Sequence, residues 1–146
     1  VYKRQPLLRA GLAFTGLNAN APLLGEIDTD NDGVLTAMEV LNLDLAGTQL
    51  VVLSACETGL GEIHEGEGVY GLRRSFQEAG VSNVVNSFWE VSDAGTQLLM
   101  TKFYAKFLGG MPAREAMREA RLEMLETLEW SAPYYWSAFV LVGRNS

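Results

Sequence analysis

Leu50-Val51-Val52-Leu53-Ser54-Ala55-Cys56-Glu57-Thr58-Gly59 decides how the rest of the chain is read. Four apolar, β-prone residues open the stretch and predict a short strand buried on both faces. Small residues, a thiol and a glycine-containing bend follow. Open α/β sheets bind their ligands beyond the carboxyl ends of parallel strands, so a thiol here stands where a nucleophile would. Cys56 is the single cysteine of the sequence. Two readings stand at this point: a reactive thiol, and the small apolar core residue that a free cysteine often is.

Outward from that stretch, strands alternate with helices. Gly11 to Gly16 reads as a short strand, and Thr36 to about Leu43 as a helix. After Cys56 a loop rich in Gly and Glu runs to about Gly66. A helix follows with Val69, Leu72, Phe76 and Ala79 on one face and Gly80 as its stop. Ser82 to Trp89 reads as a second buried strand. Ser92 or Asp93 can cap a helix that continues to Leu108. Gly109-Gly110 breaks that helix, and Pro112 suits the first turn of the next, which carries Ala116, Met117, Ala120 and Met124 inward. Trp136 to Val142 closes the chain as a strand. The alternation predicts one α/β domain, a mostly parallel sheet flanked by helices. A right-handed crossover sets the Leu50 and Val84 strands side by side, with Cys56 and Glu90 to Asp93 on the same edge.

Composition narrows the function classes. The 146 residues are 48% hydrophobic and 20% charged, enough for a domain with a real core. A net charge of −7 would repel a phosphate backbone, so nucleic acid is not an expected partner. A single Cys excludes an internal disulfide and fits a reducing, cytoplasmic setting. No apolar run approaches the roughly 18 residues of a membrane span, and no signal-peptide pattern opens the chain. Val1-Tyr2-Lys3-Arg4-Gln5 carries no initiator Met and no capping or turn chemistry. A fragment cut upstream of Pro6 is therefore expected, with residues 1–5 a candidate non-native leader.

Three further patterns invite chemistry. Asp28-Thr29-Asp30-Asn31-Asp32-Gly33-Val34-Leu35-Thr36-Ala37-Met38-Glu39 matches a calcium-binding EF-hand loop position by position. Asp28, Asp30, Asp32 and a bidentate Glu39 would supply oxygens, and the Val34 carbonyl one more. The competing reading is an acidic turn followed by a Thr36/Glu39 capping box, and Pro22 with Gly25 argues against the helix that must precede an EF-hand loop. Gly66-Glu67-Gly68-Val69-Tyr70-Gly71 satisfies a dinucleotide fingerprint. Its glycines begin too far beyond the strand end at Glu57 for the tight phosphate turn, and Glu65 and Glu67 carry the wrong charge. His64 is the single histidine. Flanked by acids in a loop, it reads as solvated rather than as the base that a Cys56 thiolate requires.

The Leu50 to Gly61 run resembles the core motif of the CHAT domain, a caspase-like cysteine-peptidase family of the caspase and separase clan. The likeness continues through Gly66-Glu67-Gly68-Val69-Tyr70-Gly71-Leu72-Arg73-Arg74-Ser75-Phe76 and Ser87-Phe88-Trp89-Glu90-Val91-Ser92-Asp93. It extends to Phe103-Tyr104, Ala116 to Ala120, and Tyr135-Trp136-Ser137-Ala138-Phe139-Val140-Leu141-Val142-Gly143. Asp32 to Glu39 resembles the family's segment before the nucleophile strand, where Asp-Gly-x-Leu-Thr-Ala occurs without a full set of acids. That favours the capping reading over calcium.

The resemblance implies a caspase-like layered fold, incomplete at its amino-terminal side, and a cysteine endopeptidase with Cys56 as nucleophile. It places the general-base histidine upstream of Pro6, so the fragment itself is expected to be inactive. That chemistry requires no cofactor. Glu57, Thr58, Gly59, Trp89, Glu90 and Asp93 are the substrate-pocket candidates, each with a plainer reading as core aromatic, helix cap or solvated acid. A protein or peptide is the expected substrate, and helical repeats elsewhere in the full-length protein an expected regulatory partner. The alternative is a non-catalytic interaction or signalling module of the same fold, with calcium at residues 28–39 a further option.

Overall fold

The computed structural model describes residues 11–14, 33–53, 67–89 and 91–143. They divide between two units, Val1–Gly47 with Thr58–Val81, and Thr48–Glu57 with Ser82–Ser146.

In the first unit, β1 (Gly11–Ala13) pairs antiparallel with β2 (Val34–Thr36), Leu12 opposite Leu35. Strand β2 lies inside the stretch that reads as a metal loop or helix cap. It delivers Thr36 as the N-cap of α1 (Ala37–Val40). The Thr36 hydroxyl accepts from the Glu39 N–H at 3.2 Å, and the Glu39 carboxylate accepts from the Thr36 N–H at 2.7 Å. Two orphan donors of the helix start are thus met reciprocally. The helix expected to reach Leu43 ends at Val40, because Asn42 and Leu43 bond three residues back, to Glu39 and Val40, and tighten the last turn. Helix α2 (Glu67–Glu78) buries Leu72 and Phe76, as its periodicity predicts; the side chain of Val69 lies outside the described residues. Gly80, at φ 110°, ends it. Val81 N–H bonds Phe76 O and Gly80 N–H bonds Gln77 O, a Schellman closure.

The second unit holds a three-stranded sheet in the order β3-β4-β5, formed by β3 (Val51–Leu53), β4 (Asn83–Ser87) and β5 (Phe139–Gly143). Strands β3 and β4 are parallel, Val51 beside Val84, as the crossover argument requires. Strands β4 and β5 are antiparallel, Ser87 beside Phe139, so the expectation of a mostly parallel sheet is corrected among the described residues. The reason is the connection: α3 (Asp93–Leu108) and α4 (Ala113–Leu125) form a helical hairpin that returns the chain to the end it left. Three smaller corrections follow. Strand β3 is half-buried rather than buried on both faces, and among the described residues it forms an edge of this sheet. Trp136 belongs not to the last strand but to the short helix α5 (Pro133–Trp136), which starts with Pro at its first turn. Pro112 stands one residue ahead of its helix, as the N-cap of α4.

The helical hairpin packs on one face of the sheet. Leu99 and Phe103 from α3 and Ala113, Ala116, Met117, Ala120 and Met124 from α4 meet Val85, Ala138 and Phe139. The alanines let the helices approach each other. Each buried Leu, Met or Phe contributes on the order of 2 kcal/mol. Gly109 closes α3 and Gly110, at φ 95°, turns the chain, as the glycine pair predicts. Glu123 on α4 accepts from Lys102 at 2.7 Å and from Lys106, both on α3. These lysines hold its carboxyl below the usual carboxylate range. Among the described residues no helix is long and apolar enough to cross a membrane.

Candidate functional site

The site is built on the edge where β3 and β4 end and β5 begins. Parallel pairing carries Leu53 level with Asn86, so the chain leaves both strands on one side. Cys56 follows three residues after Leu53. Cys56, Glu57, Thr58, Gly59, His64 and Glu90 lie outside the described residues. So do Asp28, Asp30 and Asp32.

What borders that edge is described. Phe88 N–H bonds Ala138 O at 2.9 Å, extending the β4–β5 ladder by one rung. The chain then turns outward, and Phe88 and Trp89 are exposed. This corrects the reading of a buried strand as far as Trp89. Trp89 Nε1 donates to Tyr134 O at 3.2 Å, so the indole is anchored to α5 while one side meets solvent. Tyr134 is half exposed and meets Tyr135 edge-on at 5.4 Å; Tyr135 meets Trp130 likewise at 5.0 Å. Such T-shaped contacts suit ring quadrupoles and stiffen the corner. A Cβ on Gly95 would stand 3.0 Å from the Tyr135 ring, so glycine is what lets α3 approach it.

Ser92, rather than Asp93, caps α3: its hydroxyl accepts from Gly95 N–H at 3.2 Å. Asp93 is exposed in the first turn, where a carboxylate complements the helix dipole. Arg121 of α4 donates through Nη2 to Phe139 O and ties the helix to the first residue of β5. Burial lowers the pKa of its guanidinium. In the other candidate, Glu39 Oε2 is occupied by the Thr36 N–H and hydroxyl, leaving Oε1 for any further ligand. Val34 sits in β2, opposite Ala13.

The edge also holds a residue that no motif marks. Asn86 is 1% exposed in the centre of the sheet. Its trace in the sequence is small: Val84-Val85-Asn86-Ser87 puts an amide in a strand, where Asn is depleted.

Comparison with known proteins identifies the family. The profile of the CHAT domain matches residues 1–144. Tetratricopeptide repeat protein 28 of Homo sapiens is 34% identical over 112 residues, 77% of this chain and 4% of that protein. Its Mus musculus counterpart is 32% identical over 112 residues, with the same coverage of 77% and 4%. The chain therefore spans a small part of the length of these relatives.

Proposed function

Because the chain belongs to the CHAT domain family, we propose that it is the nucleophile-bearing part of a caspase-like cysteine endopeptidase domain. The observation that supports this reading is the parallel β3–β4 pairing, which ends both strands on one edge of the sheet, the kind of edge where open α/β sheets bind ligands; the Ser54-Ala55-Cys56-Glu57-Thr58-Gly59 run follows Leu53 in the sequence. In this reading the Cys56 thiolate attacks the scissile carbonyl. An imidazole supplied from outside these 146 residues takes the thiol proton and passes it to the leaving amine. Water then cleaves the thioester. Backbone N–H groups beside Cys56 contribute to the oxyanion hole.

Trp89, braced on α5, walls the cleft together with Phe88 and Tyr134. Asp93 and Glu90 add negative charge that favours a basic or polar substrate side chain, and Glu57, Thr58 and Gly59 line the nucleophile side. The caspase-like layering of helices on both faces of the sheet belongs to the same proposal. The Asp28 to Glu39 segment serves as turn and helix cap, on the strength of the Thr36/Glu39 box; heat on calorimetric titration with calcium would overturn that assignment.

The second reading is a non-catalytic protein-interaction module of the same fold, and the name of the relatives, built on tetratricopeptide repeats, favours it. A peptidyl acyloxymethyl ketone decides between the two on the full-length protein. Covalent labelling that is lost in Cys56→Ala supports the peptidase. Equal labelling of both proteins, or none of either, leaves the interaction module.

A further inference from the structure

Helix α4 has a second face besides the one that enters the core. Glu115, Glu119 and Glu123 recur at every fourth residue, and the last of them turns to α3, where it meets Lys102 and Lys106. The arginines keep to another flank. Arg114, Arg118 and Arg121 follow one another at helical spacings, and Arg121 reaches Phe139 O on β5. The same spacings carry the flank on to Leu122 and Leu125, and Leu128 stands just beyond the helix end. Arg114, Arg118, Leu122 and Leu125 are exposed, and Leu128 is 94% exposed. Little in the fold engages these groups. Among the described residues no carboxylate pairs with Arg114 or Arg121. Arg118 meets Glu119 in an exposed pair that water already weakens. Neighbouring leucines on a solvated turn contribute nothing to the core and mark a surface that something covers. The Asn86 amide, buried and without a hydrogen-bond partner among the described residues, is closed to any visitor; this flank is open to one.

We propose that this flank of α4 is a docking surface for an acidic, leucine-bearing helical segment of a partner protein. Its carboxylates would lie on Arg114 and Arg118 and its apolar side chains on Leu122, Leu125 and Leu128. Charge complementarity chooses the occupant. The flank is cationic towards the amino end of α4 and apolar towards the carboxyl end, so an acidic amphipathic helix matches both parts. Guanidinium forks pair carboxylates through two hydrogen bonds at once. Glu126 and Glu129, exposed near the leucines, repel acidic residues there and fix the direction in which the partner lies. A membrane or a nucleic acid is the poorer match. An extended anionic surface is repelled by a chain of net charge −7, whereas a single helix meets this flank alone. Docking here asks nothing of Cys56.

The test is fluorescence anisotropy on the full-length protein. The probe is a fluorescein-labelled helical peptide of about 18 residues, with Glu and then Leu along one face and Gln elsewhere. The parent should bind it with a Kd on the order of 10–100 µM, weakening as salt is raised. The same peptide with Lys in place of Glu should not bind. Arg114→Glu combined with Arg118→Glu should weaken binding on the order of 10-fold or more, and Leu125→Ser combined with Leu128→Ser about 5-fold. Arg114→Lys with Arg118→Lys keeps the charge and loses the fork, so it should retain part of the affinity. Arg121 stays in place because it anchors β5. The replaced side chains are exposed, so Tm should stay within about 2 °C of the parent. Should the glutamates lower it further, Arg114→Gln with Arg118→Gln removes the charge without reversing it, with a loss of about 5-fold expected. Absence of binding to the parent overturns the proposal, as does binding that the arginine variants leave intact. Capture on phosphatidylserine–phosphatidylcholine vesicles without peptide binding overturns it in favour of a lipid surface. Self-association that disappears in Leu125→Ser with Leu128→Ser, again without peptide binding, overturns it in favour of a second copy of this chain.

Discussion

The two units are held together by different means. In the second, a helical hairpin of 16 and 13 residues packs on the sheet around buried Leu99, Phe103, Met117, Met124 and Phe139. Its stability is a matter of apolar area, spread over many side chains. The described part of the first unit has strands of three residues and helices of four and 12 residues, with Ala37, Val40, Leu72, Phe76 and Val81 buried. There, individual backbone devices matter more: the Thr36/Glu39 box at one helix start and the left-handed Gly80 at one helix end. Loss of area should therefore hurt the second unit most, and loss of a single conformation or cap the first.

Phe103→Ala tests the area side of that contrast and should have the largest effect. Phe103 is fully buried and stacks on Phe107 at 5.7 Å, so the cavity should cost about 3–5 kcal/mol in urea unfolding. A cost below about 1 kcal/mol would mean that the hairpin collapses into the void, and the contrast would break.

Gly80→Ala tests the conformational side. At φ 110° an added Cβ would stand 2.9 Å from Ala46 N and 3.0 Å from its Cα, so strain and backbone crowding add. A loss of about 2–3 kcal/mol is expected, with amide exchange accelerating around Gly80 before it does in α3 and α4. Uniform acceleration over both units would show that they unfold as one.

Thr36→Ala should be milder, about 1 kcal/mol, since it removes the hydroxyl that caps α1 and partners Glu39. Exchange at Glu39 N–H reports it directly. Thr36→Ser should restore most of the protection.

The smallest effect belongs to the hairpin's surface. Glu123 is depressed in pKa first by its hydrogen bonds to Lys102 and Lys106. A carboxyl lowered on folding stabilises the protein above its unfolded pKa, about 4.3. That contribution is lost as pH falls through the lower folded value. The site is exposed, so the gain is below about 1 kcal/mol. Glu123→Gln should lower the neutral-pH urea midpoint slightly and flatten this part of the acid limb. Equal acid limbs in parent and variant would show that the lysines contribute nothing measurable.

Several features are legible in the sequence because they depend on neighbours a few residues apart. The spacing of Ala116, Met117, Ala120 and Met124 marks the buried face of α4, and all four are buried. Gly80, Gly109 and Ser92 announce helix ends that the structure reproduces. The Thr36-to-Glu39 spacing is a capping box in both sequence and structure. The likeness to the CHAT domain, carried by Leu50 to Gly61 and the later motifs, agrees with the family profile over residues 1–144. In these cases local chemistry, whether a hydroxyl three residues before a carboxylate or a residue without a Cβ, already contains the cause.

The direction of β5, the exposure of Trp89 and the isolation of Asn86 do not have local causes. Whether the last strand runs parallel or antiparallel depends on how α3 and α4 return the chain, a matter of packing between segments dozens of residues apart. Trp89 is apolar enough to be a core residue; only its anchor on Tyr134, far along the chain, turns it to the rim. Nothing beside Asn86 in sequence distinguishes a satisfied amide from an orphaned one. Its partners would have to come from β3, β5 or beyond, and only their placement shows that none arrives. The sequence by itself determined where elements start, stop and turn a face inward, because those are short-range balances of sterics and hydrogen bonding. Tertiary structure alone decided which distant groups share an edge, because that balance is struck between surfaces that the chain brings together only on folding.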